Sequence, residues 1–182
     1  MATLLAATVV AAGISMAWAE PPIGFGIGKP AAPGELRGFI SILPDGRGLP
    51  PGSGSVAQGR NLYAGQCASC HGLHLEGGLG DRLVGGRGSL KTDATGKAPI
   101  RTVESYWPYA TTLFDYIKRA MPMNAPGSLT DSEIYSLTAY ILAEARIIAG
   151  DAVIDAHALA RIRMPNRDGF IPDGRPEKFP DR

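Results

Sequence analysis

The apolar positions change texture along the chain, and each change predicts a segment. Residues 1–19 carry no charged side chain, run apolar from Leu4 to Ile14 and end Ala17-Trp18-Ala19 before Glu20. That pattern predicts a cleavable secretory signal; the n-region lacks a Lys or Arg, and an uncleaved N-terminal anchor is the alternative. Residues 20–54 hold seven Pro and nine Gly, which predicts an irregular arm and not a packed element.

Helical spacing begins at Ser55, a plausible N-cap, with Val56, Gly59, Leu62 and Tyr63 on one side of a first helix. A second helix is predicted over Thr111 to Ala120, with Leu113, Phe114 and Ile117 on one face, stopping at Met121 because Pro122 follows. The third opens with the capping box Thr130-Asp131-Ser132-Glu133. Its stripe of Ile134, Leu137, Ile141, Leu142, Ala145 and Ile148 runs to Gly150, a length of about eighteen residues. Gly59 permits the first and third helices to approach closely, with Tyr63 and Tyr140 available to pack at the crossing. From Asp151 periodicity disappears and Pro165, Pro172, Pro176 and Pro180 predict an extended tail. No convincing strand is visible. The expected architecture is all-α, one body at 55–150 between an irregular arm and a C-terminal tail at 151–182.

Composition narrows the classes. The chain has 182 residues and a formal charge of +1, enough for one core and without a field of one sign to recruit nucleic acid or an anionic membrane. After signal cleavage no other stretch is long and apolar enough to span a bilayer, so a periplasmic, membrane-free body is expected.

The two cysteines carry the chemistry. In an exported protein a lone pair would suggest a disulfide, but Cys67-Ala68-Ser69-Cys70-His71 is the attachment pattern of one covalent haem c. Two thiols at this spacing add across the two vinyl groups, and the adjacent imidazole serves as proximal iron ligand. A thioredoxin-like site would need a βαβ unit, and structural zinc would need four ligands. Neither is supplied.

The second axial ligand is open among Met121, Met123 and Met164, with His74 and His157 as the remaining histidines. His74 lies too close to His71 to swing around the porphyrin, and His157 falls in the unpatterned tail. Met121 ranks first, since it ends a helix 50 residues after His71 and so leaves enough chain to reach the other face. Met123 competes with it, and Met164 is third. A thioether ligand leaves no site for oxygen or peroxide and favours electron transfer. Trp107 and Tyr106, in the cluster Tyr106-Trp107-Pro108-Tyr109, are candidates to pack the porphyrin wall or bond a propionate, as are Arg101 and Arg119. The run Gly77 to Gly88 lacks the Lys-Ser/Thr ending of a phosphate loop. A loop against the proximal haem face explains it better, with a backbone carbonyl accepting the His71 Nδ1 proton.

The first and third helices in contact resemble the class I cytochrome c fold. Longer segments carry a narrower resemblance: Pro44-Asp45-Gly46-Arg47-Gly48-Leu49-Pro50-Pro51-Gly52-Ser53-Gly54-Ser55-Val56, Gln66 to Gly72, Ser105 to Ile117, Arg119-Ala120-Met121-Pro122, Ala125 to Thr130 and Met164 to Phe170. Together they are similar to the cytochrome subunit of sulfane and sulfite dehydrogenases in bacterial sulfur oxidation. The resemblance implies a chain that docks on a molybdenum-cofactor subunit, accepts electrons one at a time as that partner oxidises a sulfur substrate, and passes them to a soluble cytochrome c. It also implies Met121 as axial ligand, in the Met-Pro step after Arg-Ala. Many members carry a second haem domain, for which this sequence has no second attachment motif. The Pro usual in the proximal loop is replaced around Asp81-Arg82. A free shuttle, a subunit of another periplasmic dehydrogenase, and a haem enzyme or ligand sensor are the alternative functions.

Overall fold

In a computed structural model of the chain, residues 28–35, 42–90 and 98–171 are described. The signal expected over 1–19 lies outside them, as do parts of the arm and residues 172–182 of the tail. The chain divides into two units, Met1–Gly38 and Phe39–Arg182. In the first, residues 28–35 are exposed and turn at Ala32, whose N–H donates to the Glu35 carboxylate at 2.6 Å.

The second unit contains strand β1 (Ser53–Ser55), helices α1 (Val56–Gln66), α2 (Ala68–His71), α3 (Ala110–Ala120) and α4 (Asp131–Glu144), strand β2 (Val153–Asp155) and helix α5 (Ala156–Arg161). Helix α1 starts where its first N–H groups find side-chain acceptors. The Ser55 hydroxyl accepts from Gln58 N–H at 3.2 Å, and the Gln58 side chain accepts from Ser55 N–H at 3.2 Å. Its approach to α4 is set by glycine: a Cβ on Gly59 would stand 1.9 Å from the Ser136 carbonyl oxygen, and one on Gly54 would stand 2.2 Å from Ser136 N. Only a bare backbone fits over Ser136. Beside that contact the Tyr63 and Tyr140 rings lie 5.2 Å apart, as the sequence predicts.

Helix α4 is the core of the unit, with every residue from Ile134 to Leu142 buried. The Thr130–Glu133 capping box is formed as expected, Thr130 N–H donating to Glu133 Oε2 at 2.8 Å. Replacing Thr130 by Ala leaves those first-turn groups to water and is expected to lower stability by about 1 kcal/mol. Thermal unfolding of the variant beside wild type checks it; an unchanged midpoint would remove the cap from the account. The helix ends at Glu144, shorter than the eighteen residues expected. Arg146 takes a left-handed φ of 54°, Arg146 N–H returns to the Ala143 carbonyl, and Ile147 N–H to that of Leu142, so Ile147 and Ile148 continue the apolar surface through a turn. Helix α3 buries Leu113, Phe114 and Ile117 against the core. An ion pair between Lys118 and Asp131 ties its end to the start of α4.

The tail requires a correction. The sequence predicts no strand and an extended chain after Asp151, yet β2 pairs antiparallel with β1, Gly54 opposite Ile154. Asp155 then caps α5, accepting from Ala158 N–H at 2.8 Å. Ile154, Leu159 and Met164 are each nearly inaccessible. The elements are too short to show a period, and the pairing strand lies about a hundred residues earlier. Residues 162–171 form no regular element, apart from a bridge between Arg163 and Tyr109.

Candidate haem site

Helix α1 delivers the chain to the cysteines. Cys67 closes it, its N–H donating to the Tyr63 carbonyl, and α2 then carries Cys70 and His71 through one turn in which His71 N–H donates to the Cys67 carbonyl at 2.9 Å. The Tyr63 hydroxyl holds the exit of that turn by donating to the Gly72 carbonyl at 2.7 Å.

The glycine run folds back beneath the motif. Gly77 N–H donates to the His71 carbonyl at 2.8 Å and Gly80 N–H to that of Cys70 at 2.9 Å. A Cβ on Gly80 would stand 2.9 Å from the imidazole, so this glycine backs directly on the ring. His71 Nδ1 lies 2.7 Å from the Asp81 carbonyl oxygen. That oxygen can only accept, so Nδ1 carries the proton and Nε2 is the ring nitrogen left to meet a metal. The loop thus meets expectation with Asp81 in place of proline, because the contact uses a carbonyl.

These residues border a cavity of about 800 Å³, whose wall includes Cys67, Cys70, His71, Leu83, Val103, Trp107, Leu113, Ile117, Met121, Leu137 and Ile141. Both cysteines are free thiols; burial first, and Cys70 second, push the Cys67 thiol up to about 11. A cavity of cofactor size, two thiols three residues apart, an imidazole oriented by a backbone carbonyl and apolar walls fit a covalently attached haem.

The other candidates separate cleanly. Met121 caps the end of α3, its N–H donating to the Ile117 carbonyl at 3.1 Å, with the extended backbone that a residue before proline prefers. It is half-buried in the cavity wall. Met123 is 78% exposed at the mouth, Met164 is buried away from this cavity, and His74 and His157 are exposed and do not line it. Trp107 does line it, edge-on to Tyr116 at 5.7 Å. Tyr106 does not. Its ring packs on Phe170 at 5.2 Å, beneath the Arg101 guanidinium, and its carbonyl accepts from Asn166 Nδ2. The tail that the sequence reads as extended takes this ring away from the cavity. Arg101 borders the cavity, whereas Arg119 does not and pairs with Asp115 at 2.8 Å. Sequence reasoning missed Tyr116, Leu83 and Val103 as wall residues, since two of them sit in loops without a period.

Residues 54–141 match the family model described as cytochrome C oxidase, cbb3-type, subunit III. Among curated proteins the chain is similar to thiosulfate dehydrogenase of Stutzerimonas stutzeri (strain A1501), 31% identical over 100 residues, which cover 50% of this chain and 28% of that protein. The chain thus spans less than a third of that relative's length. Among solved structures it is similar to the crystal structure of the sulfane dehydrogenase SoxCD from Paracoccus pantotrophus, with a TM-score of 0.73 and 39% identity over 85% of this chain and 75% of that one. The likeness takes in the all-α cytochrome c fold and most of both chains: this chain is a c-type cytochrome domain and belongs to the family of SoxD-like cytochrome subunits.

Proposed function

We propose that the chain holds one haem c through Cys67 and Cys70, with His71 and Met121 as axial ligands, and serves as the electron-accepting subunit of a periplasmic sulfite or sulfane dehydrogenase. In this reading a molybdenum-cofactor partner oxidises the sulfur substrate, and this chain relays single electrons to a soluble cytochrome c. The observation that carries it is that His71 and Met121, far apart in sequence, border one apolar cavity beside the two thiols.

Once bound, the haem supplies a one-electron couple. The chain's own groups set the conditions. The Asp81 carbonyl orients His71, the Met121 thioether would bind the haem iron and keep oxygen and peroxide off it, and Leu113, Ile117, Leu137 and Ile141 give the cavity apolar wall. Trp107, in the cavity wall, would pack beside the porphyrin and offer its Nε1–H to a propionate. Among the described residues no helix is long and apolar enough to cross a membrane.

The test is stopped-flow reduction of the purified holoprotein by a molybdenum partner, with sulfite and with thiosulfate as electron source. Haem reduction that requires both partner and substrate is expected. No reduction with either substrate would sink the dehydrogenase assignment and leave a free shuttle.

A further inference from the structure

A second cavity, of about 340 Å³, lies where the end of α4 meets the tail, lined by Arg87, Arg146, Ile147, Arg163, Met164 and Pro165. Three arginines from three separate segments thus line one small surface cleft. Like charges gathered this way repel, and nearby acids relieve only part of that. Glu104 pairs with Arg87 at 2.9 Å, and Asp168 with Arg163 at 2.6 Å. The second pair is open to water, its side chains 76% and 73% exposed, so it costs little to exchange for another anion. Among the described residues the Arg146 guanidinium has no hydrogen-bond or ion-pair partner.

The position of Arg146 is unusual. It sits at the left-handed residue closing α4, with φ of 54°, where glycine is the unstrained choice. The negative end of the helix dipole favours a cation there, but it does not require two more arginines from elsewhere. Arg87 is anchored on the same helix end, donating from Nη2 to the Ala145 carbonyl at 2.6 Å. Its loop is braced as well, because Glu104 also accepts from Gly85 N–H.

We propose that this cavity is a binding site for a small divalent oxyanion of the sulfate or thiosulfate class. Guanidinium forks present paired N–H groups matched to two oxygens of such an ion. Ile147, Met164 and Pro165 make the remaining wall apolar and leave the arginines as the donors. The site is separate from the haem cavity and does not depend on the dehydrogenase reading.

Calorimetric titration of the full-length holoprotein with sodium sulfate and sodium thiosulfate, at ionic strength held constant with sodium chloride, tests it. Saturable one-to-one binding is expected, weakened about tenfold or more in Arg146→Gly and in Arg163→Ala. Arg146→Gly removes the guanidinium while relaxing the left-handed backbone, so its melting temperature holds or rises and lost affinity there is not unfolding. Absence of saturable heat with wild type, or equal affinity in Arg146→Gly, would overturn the site. Acetate binding as tightly as sulfate would overturn the divalent assignment.

Discussion

Met121→Ala is expected to remove the weak near-infrared Met-to-iron band, open the sixth position to carbon monoxide, and lower the midpoint potential by about 0.1–0.3 V, within the roughly 0.8 V span that axial ligands control. The size follows from geometry. Met121 is held at the end of α3 by the Ile117 carbonyl and lies half-buried in the cavity wall, whereas Met123, which also borders the cavity, is largely exposed. Met123→Ala is expected to leave the spectrum unchanged, because its side chain is 78% exposed. Met164→Leu leaves it unchanged for the opposite reason: Met164 is 2% exposed in the core, and the swap is nearly volume-conserving. Loss of the band in Met123→Ala instead would transfer the ligand role. Absorbance from the visible to the near infrared, with redox titration, reads all three.

Gly59→Ala is expected to cost about 3 kcal/mol or more, the upper end for overpacking, since the clashing neighbour is backbone. The new methyl would stand 1.9 Å from the Ser136 oxygen and 2.5 Å from its carbonyl carbon, so α1 and α4 must separate. At roughly 3 °C per kcal/mol for a protein of this size, the melting temperature falls by about 10 °C. Function suffers with stability, because α1 leads into Cys67 while α4 supplies Leu137 and Ile141 to the cavity. Calorimetric melting of the variant and wild-type holoproteins checks it, and equal melting temperatures would refute the close crossing.

Both predictions begin from features visible in the sequence, but to different degrees. Gly59 is legible because glycine inside a helical period implies close approach, and Tyr63 follows it one turn later on the same face. Met121 is legible only in part. Helix end, proline and chain length place it ahead of Met123, yet two methionines two residues apart differ in burial only through which way the chain turns after α3. The aromatic cluster shows the limit. Trp107 and Tyr106 are equal candidates by composition, and their fates differ because Phe170 and Asn166 pull Tyr106 toward the tail.

By itself the sequence determines the attachment motif, the three long helices and their caps, because thiol spacing, capping boxes and the 3.6-residue period are settled within a few neighbouring residues. Only the tertiary structure decides that Met121 and His71 border one cavity, that β2 closes on β1, that Tyr106 turns away, and that Arg87, Arg146 and Arg163 converge. Those outcomes rest on contacts between distant segments, such as the 60 residues from Tyr106 to Asn166, and no local pattern encodes which distant partner a short segment will meet.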